Sequence, residues 1–364
     1  MSAPLTKKDL PAGFSFAAMH CGLKKSRPDL AILVSERPAT AAAMFTQNRV
    51  AAAPVVVSRE HIRKSAHHMR GVVVNSGNAN CCSGRRGLAA SLETTRAMAR
   101  AMTRAMTQKS DKADAAQILV CSTGVIGVPL RVEKILRGLP HLVQSRREDA
   151  DAFTEFAHAI MTTDLRPKWA AAKCRAGGKT VRVAGCAKGS GMIHPNMATM
   201  LAFVVTDAAI SPALLARALR SAVEPSFNSI TVDGDTSTND TVIVLANGSS
   251  GARKIASVND DYRKFCAALE SVCHSLALAI VADGEGAQRV IEIEVRGAPS
   301  DRAANQIART IANSPLVKTA FAGGDPNWGR ILAAAGRAGV PFDPERAGIR
   351  LAGIEVCRRG LERR

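Results

Sequence analysis

The chain has 364 residues, 46% of them hydrophobic and 22% charged, with a formal net charge of +18 at pH 7. These proportions exclude large-scale disorder and fit one large or two closely packed globular domains. Lys and Arg are spread along the whole chain, and aromatic residues make up only 4%, with a single tyrosine, Tyr262. A basic surface is therefore favoured over a nucleic-acid-binding protein, which stays as an alternative.

The opening segment, MSAPLTKKDLPAGFSF, has no apolar h-region. No run of about 18 apolar residues is read anywhere in the chain. Both observations point to a cytoplasmic protein. Short Val/Ile-rich runs predict strands at Ala31–Val34, Gly71–Asn75, Ile118–Cys121, Thr180–Ala184, Leu201–Val205, Asp240–Ala246, Val290–Val295 and Val317–Ala320. Apolar residues at helical spacing predict helices over Leu88–Met106, from Arg146–Asp151 to Met161, from Pro212 to Ala222, and over Tyr262–Ala279 and Ala303–Ala312. Ser211-Pro212 reads as an N-cap with proline at the first helical position, and Asp260-Asp261 suits a helix start. The Ala/Gly/Lys-rich segment Ala170–Lys179 reads as a surface turn leading into a strand. The class is mixed α/β, with helices packed on sheets. The nine cysteines are odd in number and show no CxxC spacing. That argues for free thiols, without a disulfide framework or a zinc site.

Between these elements lie polar, glycine-containing blocks: Val73–Asn80, Cys121–Gly127, Lys188–Thr199, Phe227–Asp240, Asp283–Gly286 and Gly323–Arg330. Loops of this composition carry sites when a scaffold gathers them. Taken singly, each has a bland reading. Thr199 is a β-branched residue opening a strand, Ser122-Thr123-Gly124 is a turn, Lys188 is a surface lysine and Glu285 a solvated carboxylate. Asp233-Gly-Asp235-Thr-Ser-Thr-Asn239 has the start of a calcium loop, but position six is Thr238 and position twelve Val244. The glycine and the acid that calcium needs there are absent. Lys188-Gly-Ser-Gly lacks the spacing of a phosphate-binding loop. His194 is read as structural.

Taken together and in this order, KGSGM–HPNMATM, TVDGDTSTND, DGEGA and GDPNWGR resemble the ornithine acetyltransferase family, bifunctional in some members. The match runs from about Pro11 to about Val356. The resemblance implies a self-cleaving fold, a layered sandwich of two sheets between helices, and an enzyme of arginine biosynthesis. It implies cleavage between Ala198 and Thr199, giving an α-chain of residues 1–198 and a β-chain of 199–364, assembled as two of each. It implies transfer of acetyl from N2-acetylornithine to glutamate through Thr199, with no cofactor and no metal, and acetyl-CoA as a second donor in some members. Thr123 and Gly124 would form the oxyanion hole. Thr162, Lys188, Thr199 and Glu285 would contact substrate. It further implies a terminal segment following Arg364 in the family, which supplies an asparagine and a threonine to the substrate.

These residue types suit that chemistry. Once cleaved, Thr199 carries a hydroxyl and its own α-amine, whose reference pKa of roughly 7.7–8.0 lets it act as base near neutral pH without histidine. Lys188 could clamp a substrate carboxylate and lower the pKa of that amine, and Glu285 could bind an ammonium group. An amide hydrolase of the same self-cleaving architecture is the enzymatic alternative.

Overall fold

The computed structural model describes residues 5–105, 112–194 and 200–363. The chain divides into two compact units, Met1–Glu285 and Gly286–Arg364.

In chain order the first unit contains β1 (Phe14–Met19), β2 (Leu30–Phe45), α1 (Ala53–Lys64), β3 (His68–Asn78), α2 (Gly84–Ala105), β4 (Ile118–Val125), α3 (Val132–Ser145) and α4 (Ala150–Ala159). There follow β5 (Lys168–Ala176), β6 (Lys179–Lys188), β7 (Leu201–Thr206), α5 (Pro212–Val223), β8 (Thr241–Ala246) and α6 (Asp260–Ala282). The strands are hydrogen-bonded in the order β4-β3-β2-β8-β7-β6-β5, with β1 also on β2.

The long strand β2 turns this sheet into two layers. Its first part, Leu30–Val34, pairs with β3 and β1; its second, Thr40–Phe45, pairs with β8. Between them the register with β3 shifts, at the exposed residues Glu36, Arg37 and Pro38. An irregularity of this kind bends a strand, and proline removes a ladder donor. The two sheet halves then face each other, and residues alternate between the two sides with period two. Leu33, Val72, Val74 and Leu119 of one half meet Phe203, Val205, Ile243 and Leu245 of the other in an inner apolar layer. Phe153 and Phe156 of α4 complete that layer. On the outer face of the β1–β4 half, Ile32 and Val73 pack against Met98, Leu139 and Leu142 of α2 and α3. On the other outer face, Val183, Val204 and Val244 pack against Leu219 of α5 and Phe265, Leu269 and Leu276 of α6. Strands covered on both faces read as continuous apolar runs, which is why β3, β4, β7 and β8 stand out in the sequence. The result is the expected layered sandwich, with its two sheet layers joined through β2.

Several local expectations need correction. Ala170–Lys179 is no surface turn; β5 occupies Lys168–Ala176 and pairs along its whole length with β6. Only Gly177-Gly178 turns, both with positive φ, as a two-residue hairpin loop prefers. Alanine and lysine are poor strand formers, so the composition masks this half-exposed strand. Asp260–Ala282 does meet the length and hydropathy of a membrane-crossing helix, but 44% of its most apolar stretch is buried, and it is the core helix that covers β5 and β6. Asn259 caps it, accepting from Tyr262 N at 2.9 Å, with Asp260 and Asp261 in the first turn. The Ser211 side chain makes no cap hydrogen bond, although Pro212 does open α5.

The second unit contains α7 (Asp301–Ala312), α8 (Pro315–Gly323), α9 (Trp328–Gly336), β9 (Gly348–Leu351), β10 (Ile354–Arg358) and β11 (Leu361–Glu362). Its core joins Ile307, Ile311, Val317 and Ala334. Val290–Val295 forms no strand. Val317–Ala320, read as a strand, lies inside α8, because Pro315 at the first turn and the left-handed Gly324 bracket a helix there.

Candidate active site

At one end of the first unit's sandwich the apolar layers give way to buried polar residues. The parallel strands β3 and β4 end side by side, with Ser76 opposite Thr123 and Gly77 opposite Gly124. Gly124 has φ +129°, and a Cβ there would lie 2.3 Å from Gly77 C and 2.5 Å from Asn78 N. Only glycine lets the two chains approach so closely. Asn75 fastens this corner, accepting from Ser122 Oγ at 2.6 Å and donating to Asn78 O at 2.9 Å. From the other sheet half, Asn239 Nδ2 donates to Ala79 O and Ser122 O at 2.7 and 2.8 Å. One amide thereby ties the loop before β8 to the ends of β3 and β4.

The same junction brings Lys188 to Thr123. Lys188 is the last residue of β6, opposite Leu201 of β7. Its Nζ donates to Thr123 Oγ1 at 3.2 Å, and both residues are buried. Burial pushes the Lys188 ammonium below its usual range, partly offset by Asp164 and, more weakly, by Asp240 and Glu285. The bland reading of Lys188 as a surface lysine fails.

Behind Lys188 lies a buried ionic frame. Asp164 accepts from Thr162 N at 3.0 Å, Gly189 N at 2.7 Å and Lys168 Nζ at 2.7 Å. Lys168 Nζ also reaches Asp283 Oδ2 at 2.6 Å, and all three side chains are at most 2% exposed. Burial raises the Asp164 carboxyl, but Lys188 and Lys168 outweigh it and hold it below the usual carboxylate range. Asp283 O accepts from Ser190 Oγ at 2.6 Å, and Ser190 O accepts from Glu285 N at 2.8 Å. A Cβ on Gly191 would lie 2.6 Å from the Glu285 carboxylate. Thr162, Lys188 and Glu285, far apart in sequence, thus hang on one frame, with Glu285 exposed and Lys188 buried. Nearby, Lys24 Nζ donates to Met161 O at 2.6 Å and Pro28 O at 3.1 Å, and burial brings its ammonium down to about 8.

Ala198 and Thr199 lie outside the described residues. The residues on either side of that segment are well tied. Asp233 accepts from Met192 N, from Ile193 N at 2.9 Å and from Asp235 N at 3.1 Å, so this carboxylate holds loop backbone. Met200 N donates to the buried Asp240 Oδ1 at 3.0 Å, and Met200 O accepts from Thr241 N at 3.0 Å. Burial pushes the Asp240 carboxyl well above its usual range. Among the described residues no cluster of three His, Cys, Asp or Glu side chains is placed to hold a metal.

Sequence reasoning brought Thr123, Gly124, Thr162, Lys188 and Glu285 forward but missed Asp164, Lys168, Asp283, Asn239 and Asp240. Three of these stand inside the polar blocks already noted, Asp283 before Gly284-Glu285 and Asn239-Asp240 at the end of the longest block, and Asp164 stands two residues after Thr162. Lys168 had no local signal at all.

A helix–sheet–sheet–helix sandwich with glycine-shaped, amide-tied strand ends around a buried lysine–threonine contact is the frame of an enzyme. The pattern of the ArgJ family matches residues 15–364. The arginine biosynthesis bifunctional protein ArgJ of Geobacter sulfurreducens is 48% identical over 350 residues, covering 96% of this chain and 86% of that protein. Its counterpart from Thermotoga neapolitana is 48% identical over 337 residues, covering 93% of this chain and 82% of that protein. Among solved structures, the ornithine acetyltransferase of Mycobacterium tuberculosis complexed with ornithine is 35% identical, over 51% of this chain and 93% of that one, with a TM-score of 0.44. The chain belongs to the ArgJ family, and is an acyltransferase of arginine biosynthesis.

Proposed function

We propose that this chain cleaves itself between Ala198 and Thr199 and then carries acetyl from N2-acetylornithine to glutamate on the Thr199 hydroxyl. The observation that carries the reading is the buried hydrogen bond from Lys188 Nζ to Thr123 Oγ1, 3.2 Å, beside Gly124, with Lys188 opposite Leu201, which follows Thr199 by two residues in the chain. A lysine ammonium can only donate, so the Thr123 hydroxyl spends a lone pair on it and its single hydrogen is free to point elsewhere. That makes Thr123 a committed donor, polarised by the neighbouring charge. With the Gly124 N–H it forms a two-donor oxyanion hole, in which one donor is commonly worth about 3 kcal/mol of barrier.

In self-cleavage the Thr199 oxygen attacks the Ala198 carbonyl carbon. The C–N bond breaks, the nitrogen takes a proton, and an ester replaces the amide. Water then splits the ester, leaving the Ala198 carboxylate and the free Thr199 amine. In turnover that amine takes the hydroxyl proton as the oxygen attacks the acetyl carbonyl. The oxyanion sits on Thr123 and Gly124 until ornithine departs with the proton. Glutamate's amine then attacks the acetyl-threonine ester and leaves as N-acetylglutamate. Glu285, exposed beside Gly191, suits the ornithine ammonium group, and Thr162 and Lys188 suit its polar and carboxylate ends. Residues 1–198 and 199–364 become the α- and β-chains of an assembly with two of each.

Intact mass of freshly purified protein, beside Thr199→Ala, tests the first half. Two fragments meeting at Ala198/Thr199 are expected, and a single 38.3 kDa chain in the control. An uncleaved wild-type chain would sink the reading. Incubation with N2-acetylornithine and glutamate tests the second. N-acetylglutamate formation is expected; ornithine release without it would make the enzyme a hydrolase. Acetyl-CoA in place of N2-acetylornithine tests the second donor.

A further inference from the structure

We propose that Lys168 is a positioning residue that occupies the Asp164 carboxylate, so that the Lys188 ammonium stays on Thr123 instead of collapsing onto Asp164. The inference rests on the acetyl-transfer reading for the role of Thr123, but its geometry stands without it.

Asp164 lies against the backbone of Lys188's neighbour, accepting from Gly189 N at 2.7 Å. It is the charge that attracts the Lys188 ammonium most strongly. A buried lysine gains more from a carboxylate than from a neutral hydroxyl, because a charge-assisted bond is the stronger one in a dry site. What opposes this is Lys168, whose own ammonium already sits on Asp164 and repels a second one. Asp164 Oδ1 already takes Lys168 Nζ at 2.7 Å and Gly189 N at 2.7 Å, and Oδ2 takes Thr162 N at 3.0 Å. Lys168 is in turn held by Asp283 at 2.6 Å. The frame therefore holds two lysines and two aspartates, with Lys168 bridging both acids and Lys188 left to the hydroxyl. The charged groups acting on Lys188 are Asp164, Lys168, Asp240 and Glu285, and Lys24, on which Lys188 also acts. Of these, Lys168 and Lys24 repel its ammonium.

Two double variants with the same change in net charge separate this role from mere support of the fold. Lys168→Met with Asp283→Asn leaves Asp164 free to capture Lys188. Lys168→Met with Asp164→Asn removes the competitor as well. Crystal structures of both should show Lys188 Nζ moved from Thr123 to Asp164 in the first and retained on Thr123 in the second. Ornithine release from N2-acetylornithine should fall at least tenfold in kcat in the first and much less in the second. The alkaline limb of its pH profile, set by loss of the Lys188 proton, should move upward by about one unit in the first, since a repelling cation is gone and an acid has closed in. Lys188 remaining within hydrogen-bond distance of Thr123 in both variants, or equal losses in both with unmoved alkaline limbs, would overturn the proposal. A wild-type enzyme that releases no ornithine would instead overturn the acetyl-transfer reading, and the two crystallographic distances would then decide this inference alone.

Discussion

The inner layer between the sheet halves and the polar end of the same strands are equally dry, yet they are built on opposite principles. In the layer, Phe16, Phe153, Phe156 and Phe203 meet edge to face, with ring centroids 5.1 to 5.9 Å apart. Such contacts are short-ranged and forgiving; volume matters more than direction. At the polar end most buried groups have a named partner, Asp240 Oδ2 being an exception, and removing one partner strands another. Burial in the layer supplies stability, whereas burial at the end supplies direction. Lys188 donates to one hydroxyl while Lys168 bridges Asp164 and Asp283.

Four substitutions would break or sharpen that contrast. The largest effect is expected of Gly124→Ala. Its Cβ meets backbone at 2.3 Å, so the strand ends must part. Self-cleavage and activity should each slow by roughly 10²–10³-fold, the loss of one oxyanion donor, so that intact mass shows mostly uncleaved chain in fresh protein. Phe156→Ala should do the reverse. It costs about 3–5 kcal/mol of stability, read from the urea midpoint, while fragments still form; a silent urea curve would show that the layer matters less than its burial suggests. Gly191→Ala is milder, since its Cβ meets only the movable end of Glu285. KM for N2-acetylornithine should rise about tenfold, equivalent to roughly 1.4 kcal/mol, with kcat little changed. The smallest effect concerns Lys24, brought down to about 8 by burial from the usual 10.5 of a lysine. The unfolded chain binds the extra proton between those two values, so stability rises with pH across that window and is level outside it. Lys24→Met should remove that rise in urea unfolding measured from pH 7.5 to 10.5; an unchanged slope would mean that the ammonium is better solvated than its surroundings indicate.

Legibility followed the same divide. Strands β3, β4, β7 and β8 were plain because both faces are covered and their apolar runs are unbroken. β5 was lost because it is rich in alanine and lysine, and its pairing with β6 decides its state. Val317–Ala320 was misread because four apolar residues fit a strand or a helix equally, and the proline and glycine that bracket them carry the answer. At the site, the glycine-containing blocks drew attention to Thr123, Gly124 and Glu285. Nothing near Lys168 did, since an isolated lysine in an alanine-rich segment looks like solvent-facing charge.

What the sequence determined by itself was the alternation that makes strands with two apolar faces, the glycines where chain must meet chain, and the set and order of polar blocks that mark the family. These are local properties, settled by sterics and by the side-chain period of a strand. Only the tertiary structure decided which blocks meet. The bend in β2, the register of β6 on β7 and the pairing of β3 with β4 bring Lys188 to Thr123 and Lys168 to Asp164 and Asp283. A charged side chain becomes stable in a dry interior only through partners from distant segments, so no reading of its own neighbourhood could have shown that it would be there.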